Sequence, residues 1–483
     1  MNYVQKGIHA LFSILIAALF THTITPASSA QASFQSHCGT LCSHYDIVVI
    51  GSEIQGILLA KAAHDLGLNV LILDPRSKPG GELIEGEMWF LDEPFDKHGH
   101  SLVQGSIKTL FDGYDKGTIR KPVEFENYYE HLIQGIPLRS SIAIQSVQFE
   151  LEKKEKSIHS LTYTAADGKI YTVQSKYWVE NTDFSALTSK LDEKRIPGME
   201  SLYDGKNNKP DYMAATLMLK FKHVNWSMLH QAVLASYPLQ NLIKKYGPNT
   251  YVDGSEATGF SNIMRTYKPH DNGLMLRGMN TVYQRNGEAI MNALLVYNVD
   301  PANPASVQAA LYRAKTEAPY ILNFLRQHIW GFSKAELNGF PDYLYIRDYN
   351  RFETKYVLNE HDVLNGNMFW DNVSIGGYSL DLQGTTRIRE GIGFGQPDRY
   401  GIPLRSFLLK SYDNVIVAGK NIGATIKAYG SARIMPNTAL AAEAIGIILG
   451  KERRSKPLAE LTPDDFKRIH YYLQTKYHIV LDK

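Results

Sequence analysis

Tyr45 to Asp74, YDIVVIGSEIQGILLAKAAHDLGLNVLILD, reads as strand, tight turn, helix and strand. Ile47, Val48, Val49 and Ile50 make a continuous apolar run, as a strand covered on both faces requires. Gly51 ends it. Ile54, Leu58, Leu59, Ala62, Ala63 and Leu66 then recur at helical spacing, and Gly67 closes the helix. Val70 to Leu73 form a second apolar strand with Asp74 at its carboxyl end. A βαβ unit of this kind binds a dinucleotide. The turn sets helix N–H groups against a pyrophosphate, and an acid about 20 residues on accepts hydrogen bonds from a ribose. The turn itself, Gly51-Ser52-Glu53-Ile54-Gln55-Gly56, departs from G-x-G-x-x-G at its middle position. There Glu53 brings a carboxylate that costs Coulomb energy beside a phosphate unless it turns away. Taken alone, the stretch also suits a buried βαβ unit that holds no nucleotide.

Upstream of this unit the sequence reads as an export signal over residues 1–32. Lys6 gives a positive start, Ile8 to Phe20 an apolar core too short for a comfortable membrane span, and Ala27 to Ala32 a small-residue cleavage region. An uncleaved anchor is the alternative. No arginine precedes Arg76, so the leader is of the Sec type and the chain is expected to be secreted or held in the cell envelope. Cys38 and Cys42 are the only cysteines; a local disulfide or two free thiols suit them better than a metal site, because no second ligand pair accompanies them. His98 and His100 likewise read as solvated or hydrogen-bonded imidazoles, and no metal is expected. The net charge of +2 gives no electrostatic case for nucleic acid.

Downstream, Glu130 to Val179 reads as a run of strands. Ile142, Ile144 and Val147 mark the first, Leu161 and Tyr163 the next, then Tyr171 and Val173 after a turn at Ala166-Asp167-Gly168. Tyr177-Trp178-Val179 returns to a buried strand, and a short helix is expected from Phe184 to Leu191. Ala214 to Asn225, Tyr251 to Met279 and Ala289 to Val299 suggest further strands, and Ser306 to His328 a helix. Val415 to Ala418 is a buried strand ended by Gly419. Pro436 opens a helix of small apolar residues, where its missing N–H costs nothing. Thr462-Pro463-Asp464-Asp465 starts a last helix through Lys476.

YDIVVIGSEIQG, DPRSKPGG, YWVENTDF and, above all, Tyr400 to Leu449 (YGIPLRSFLLKSYDNVIVAGKNIGATIKAYGSARIMPNTALAAEAIGIIL) carry a resemblance. The chain resembles the FAD-dependent oxidoreductases of the glutathione-reductase-like superfamily, and more narrowly a bacterial group of FAD-dependent oxidoreductases, many of them exported and of unassigned substrate. The resemblance implies an α/β fold, a Rossmann-like FAD-binding domain with an inserted β-rich α+β substrate domain. Residues 45–204 and 373–450 would form the FAD-binding domain, 205–372 the substrate-binding domain, and 451–483 a peripheral C-terminal helix.

It further implies cofactor contacts at Gly51, Ser52, Glu53, Ile54, Gln55 and Gly56, at Asp74 and Pro75, and at the paired glycines Gly80 and Gly81. Ile144 would approach the adenine, and Thr182 the adenine and pyrophosphate. Gly419, Lys420, Asn421, Arg433, Met435, Pro436, Asn437 and Thr438 would follow from the C-terminal stretch, with the helix start facing the flavin pyrimidine oxygens. Gly376-Gly377-Tyr378 and Asp381-Leu382-Gln383 resemble a G-Y-x-x-D-x-Q stretch; Tyr378 and Gln383 are candidates for lining the site or for hydrogen bonding at the domain junction. No catalytic base is assigned.

The function expected is hydride transfer between a small-molecule substrate and bound flavin, with a separate electron acceptor and no stable membrane span once the signal is cleaved. Two alternatives stand beside it: a non-enzymatic binding protein on the same fold, and an FAD-dependent isomerase or desaturase of a hydrophobic substrate, which would need a deep apolar channel.

Overall fold

Strand β1 (His44–Ile50) ends in a turn at Gly51, φ +96°, and helix α1 (Ile54–Asp65) follows. α1 returns the chain to β2 (Val70–Leu73), parallel to β1 with Ile47 opposite Val70 and Ile50 opposite Leu73. This computed structural model describes residues 44–152, 155–203, 209–452 and 456–481. The leader and the cysteines Cys38 and Cys42 lie outside the described residues.

A short helix α2 (Gly81–Ile84) and a longer α3 (Pro122–Ile133) lead to β3 (Leu138–Arg139), parallel to β2. The run of strands therefore does not begin at Glu130. Pro122 suits the first turn of α3, Glu124 accepts the Lys121 N–H at 2.9 Å, and Phe125, Tyr129 and Leu132 share one buried face. Strands β4 (Ala143–Glu152), β5 (Glu155–Thr164) and β6 (Ile170–Glu180) then form an antiparallel meander. Tyr171 and Tyr177 lie on this one long strand. Its first half pairs with β5, while the stretch from Gln174 on pairs in parallel with β1.

The helix expected over Phe184–Leu191 is reduced to a single 3₁₀ turn, Thr188–Lys190. Ser185 sits at φ +56°, and the buried Glu180 carboxylate takes the N–H groups of Leu187 and Thr188 at 2.7 and 2.9 Å, so the chain wraps a side chain instead of its own backbone.

The second sheet is antiparallel throughout. Strands β7 (Ala215–Lys222), β8 (Tyr251–Val252), β9 (Glu256–Gly259), β10 (Leu274–Leu276), β11 (Met279–Tyr283), β12 (Ala289–Val296) and β13 (Glu336–Leu337) take the order β13-β7-β12-β11-β9-β8, with β10 beside β12. Helix α4 (Pro304–His328) packs on it through Val307, Ala310, Leu311, Ala314 and Ile321. The sheets are not separate bodies: Met218, Val282 and Ile290 pack into the same cluster as Ile54 and Leu83.

Two short pairs follow, β14 (Asn372–Gly376) with β17 (Tyr400–Pro403), and β15 (Asp381–Leu382) with β16 (Ile392–Gly393). The chain then returns to the first sheet. Strand β18 (Val415–Val417) lies parallel to β6, Val415 opposite Trp178, and joins the sheet of order β3-β2-β1-β6-β5-β4 on the side of β6's second half away from β1. Helix α5 (Ile426–Ala432) and helix α6 (Met435–Glu452) come next; α6 starts one residue before Pro436, is buried along almost its whole length and packs on α1. The two are bent by 83° at the break, and among the described residues no single helix is long and apolar enough to cross a membrane. Helix α7 (Pro463–Tyr477) is capped by Thr462, whose hydroxyl accepts the Asp465 N–H.

Candidate functional site

The turn after β1 is tied to the end of β2 by its own side chains. Ser52 Oγ donates to Asp74 and accepts the Gly80 N–H at 2.9 Å. Asp74 Oδ1 accepts the Arg76 N–H at 2.8 Å, and Tyr129 donates to the Ser52 carbonyl at 2.9 Å. The Asn181 side-chain amide donates to the Glu53 carbonyl at 2.8 Å. Gly51 approaches the backbone of Asn181 so closely that a Cβ would strike it. Asp74 is fully buried, and burial raises its pKa against the pull of Arg76 and Ser52.

Arg76 is the hub of this turn. Its guanidinium meets Glu53 at 3.0 Å, Glu85 at 3.3 Å, and Asp74 and Asp183 at 3.7 Å, and it lies over the Tyr343 ring. Its side chain is 9% exposed, yet Nε and Nη1 have no hydrogen-bond partner; neither do Glu85 Oε2 and Asp183 Oδ2. Lys420 meets Glu82 at 2.9 Å and donates to the Ile346 carbonyl at 2.7 Å. Glu53 accepts the Glu82 N–H at 2.8 Å as well as Arg76.

These contacts sort the carboxyls. Burial pushes Glu53 up, but Lys420, Arg76 and the Glu82 N–H outweigh it and hold it below the ordinary range. Glu85 and Asp183 are not so rescued: burial lifts them to about 8 and about 6 in spite of Arg76.

The C-terminal arm reaches the same turn. Gly419 ends β18 at φ +62°. Asn421 donates to the Thr182 carbonyl at 2.8 Å, and Gln55 donates to Thr438, in the first turn of α6, at 3.3 Å. Asn437 donates to the Ser431 carbonyl at 3.0 Å, while Met435 and Pro436 are buried beside it. Thr182 turns its hydroxyl inward to Glu180 at 2.8 Å. Ile144 stands apart, half-buried on β4 against the cluster that holds Tyr163 and Trp178. His98 and His100 are exposed, with His100 against Asp96 at 3.0 Å. No group of three or more His, Cys, Asp or Glu side chains among the described residues could hold a metal ion.

A second buried cluster lies where β15 meets the second sheet. Arg433 donates to the Tyr345 hydroxyl and the Asp381 carbonyl, both at 3.3 Å. Arg347 donates to the Ala214 carbonyl, to Thr216 and to Asn292 Oδ1, and stacks over Tyr345. Arg277 reaches the Asn292 carbonyl at 3.2 Å. Asn292 sits at the register shift of β12 against β7, which makes it a shared acceptor for two arginines. The acidic side is Asp92, which accepts from Tyr378 at 3.1 Å, and Asp381, which accepts from Gln383 at 3.1 Å. The Nε atoms of Arg277 and Arg433 are buried without a partner. Burial, with Arg277 and Arg433 nearby, brings Arg347 down to about 9 despite Tyr345, and burial raises Asp92.

Of these residues Tyr378, Gln383, Asp381 and Arg433 stand in motifs visible in the sequence. Arg76 sits inside DPRSKPGG, two residues past the acid, and was there to be found. Arg277, Arg347 and Asp92 carry no such signal.

The family model described as FAD dependent oxidoreductase matches residues 46–468, so the chain belongs to that family; it is an enzyme, and its cofactor is FAD. No protein of curated function matches it in sequence. Solved structures it is similar to include the flavin-dependent brominase Bmp2, at 11% identity and a TM-score of 0.41 over 89% of this chain and 83% of that one. A geranylgeranyl bacteriochlorophyll reductase-like protein of Thermoplasma acidophilum follows at 10% and 0.38, over 90% and 84%. The p-nitrophenol 4-monooxygenase PnpA of Pseudomonas putida DLL-E4 stands at 12% and 0.39, over 90% of both chains. These likenesses are too distant to inform the chemistry.

The donor set fits FAD in kind. Asp74 follows the carboxyl end of β2, where an acid can accept from ribose hydroxyls, and the Arg76 atoms without a hydrogen-bond partner and the cation of Lys420 are suited to phosphate. Glu53 is the misfit, because its side chain fills the space that a second fingerprint glycine leaves bare.

Proposed function

We propose that this is an exported FAD-dependent oxidoreductase of glutathione-reductase-like architecture that acts on a small anionic organic molecule and passes electrons to a separate acceptor. In this reading residues 45–204 and 373–450 hold the cofactor, 205–372 supply the substrate side, and an N-terminal Sec-type leader directs export. The observation that carries the reading is that Lys420 and Thr438, from the C-terminal arm, meet Glu82 and Gln55 of the first βαβ unit and the glycine pair beside it.

FAD, when bound, supplies the two-electron chemistry. The chain's own residues do the rest. Asp74 accepts hydrogen bonds from ribose hydroxyls, and Arg76 and Lys420 offset phosphate charge. The first turn of α6 presents the positive end of its dipole to charge that develops beside it. Arg277, Arg347 and Arg433 supply buried guanidinium for a carboxylate or a similar anion, with the partnerless Nε atoms as donors still to be satisfied. The Tyr378–Asp92 pair is the place to hold a proton, since burial keeps Asp92 closer to neutral. The charged character of this cluster favours redox chemistry on a polar substrate over the isomerase or desaturase alternative, which calls for an apolar channel.

The test is the visible spectrum of the full-length chain recovered from the envelope or medium of an exporting host. A flavin spectrum bleached by dithionite supports the reading. A colourless protein that takes up no added FAD sinks it, and a chain retained in the cytoplasm removes the export part alone.

A further inference from the structure

Glu53 occupies the position at which the dinucleotide fingerprint needs no side chain, so that the backbone can approach a pyrophosphate. Its carboxylate does not turn out to solvent: the residue is 2% exposed. It lies against the paired glycines, where a Cβ on Gly81 would overlap all three atoms of the carboxyl group. It holds two donors, Arg76 Nη2 at 3.0 Å and the Glu82 N–H at 2.8 Å. A guanidinium and a backbone N–H beside a glycine pair are anion-recognising chemistry, and here the anion belongs to the protein.

The surroundings decide what an incoming phosphate would meet. Among the described residues Glu53, Asp74, Glu82, Glu85 and Asp183 face two cations, Arg76 and Lys420, and Tyr129, Tyr343 and Tyr345 complete the wall. A pyrophosphate adds roughly two more negative charges to a site already in anionic excess. One carboxylate has to give way. Asp74 serves the ribose and is tied to Ser52; Glu82 is tied to Lys420. Glu53 is the one whose donors a phosphate can take over directly. Arg76, nine-tenths buried with Nε and Nη1 unpartnered, points into the same space.

We infer that Glu53 is a specificity-determining residue of the cofactor site, an internal anion that competes with the cofactor's pyrophosphate for Arg76 and the Glu82 N–H, so that the dinucleotide binds by displacing it. The inference rests on the FAD reading above. It predicts an unusual direction of effect: restoring the fingerprint glycine tightens binding.

The experiment titrates the full-length chain and its Glu53→Gly and Glu53→Gln variants with FAD, by quenching of flavin fluorescence, and with ADP and adenosine, by calorimetry. Glu53→Gly is expected to lower the Kd for FAD and ADP by roughly tenfold or more, the scale of one contested charge-assisted hydrogen bond, and to leave adenosine unchanged. Glu53→Gln, which keeps the bulk and loses the charge, is expected to fall between. Equal or weaker FAD binding by Glu53→Gly, with the parent chain binding, overturns the inference and makes Glu53 a support of the site. A gain that extends to adenosine also overturns it, because relief would then not concern the pyrophosphate. Binding by none of the three proteins fells the FAD reading and the inference together. Circular dichroism checks folding; should Glu53→Gly not fold, Glu53→Gln decides, several-fold tightening for and no change against.

Discussion

Two charge clusters lie buried in one core and carry opposite balances. Around Arg76 the carboxylates of Glu53, Asp74, Glu85 and Asp183 converge on a single guanidinium. Around Tyr345 the guanidiniums of Arg277, Arg347 and Arg433 outnumber Asp92 and Asp381. In the first, Glu53 holds Arg76 Nη2 and the Glu82 N–H, while Arg76 Nε and Nη1 stay without hydrogen-bond partners. The second leaves the Nε atoms of Arg277 and Arg433 unspent. A ligand therefore enters the first by exchange and the second by addition. Burial of charge does not by itself mark a binding site; both clusters keep unspent donors, and the sign of the charge imbalance separates the two cases.

The sharpest way to break this comparison is to remove the hub. Arg76→Ala strands several buried carboxylates at once and is expected to cost about 3–5 kcal/mol in urea denaturation. A loss below about 1 kcal/mol would mean that the carboxyls are neutral and the cluster needs no cation.

Next in size is the pH response of the same cluster. Glu85 and Asp183 titrate higher in the folded chain, at about 8 and about 6, than in an unfolded one. The native state then holds the extra protons, so their contribution is fully present below the ordinary carboxylate range and is lost as pH rises through 6 to 8. Glu85→Gln is expected to stabilise the protein by about 1–3 kcal/mol at pH 8 and to flatten that decline. Melting curves from pH 5 to pH 9 read it out; a slope unchanged by the substitution assigns the decline elsewhere.

The cationic cluster answers in the opposite sense. Burial lowers the Arg277 pKa in spite of Asp381 and Asp92, so the fold works against its charge. Arg277→Met is expected to leave stability unchanged or raise it, by about 1 kcal/mol at most, while weakening anion binding. Calorimetric titration with benzoate as the probe measures the second effect; destabilisation with benzoate binding intact would make Arg277 a structural residue.

The smallest effect is expected away from both clusters. Thr462→Ala removes the cap of α7 and should cost about 0.5–1 kcal/mol with no change in FAD affinity.

The sequence made the turn of the first cluster and the Tyr378, Gln383 and Arg433 side of the second legible, and left the role of Arg76 and the paired arginines Arg277 and Arg347 out of sight, for a physical reason. Gly51, Asp74, Gly80 and Gly81 are local signals: a turn, a strand end and a glycine pair, read within one βαβ unit. The C-terminal arm was legible because Gly419 and the small-residue helix after Pro436 are equally local. What Glu53 does was not, because a side chain's destination depends on Arg76 and Glu82 across the turn. Arg277 and Arg347 come together only through the register shift at Asn292, a relation between strands that no single stretch encodes. The false start at Glu130 has the same origin. Tyr128 to Ile133 is apolar and aromatic enough for a strand, and Pro122 with Glu124, placed earlier, decides for the helix.

Strand β18 lies beside β6 although the whole second sheet intervenes between them along the chain. During synthesis the parallel sheet stays unfinished, with the side of β6 that faces Val415–Val417 unpaired, until the polypeptide is nearly complete. Such a protein is slow to close, because the last strand of its first sheet arrives after the whole second sheet.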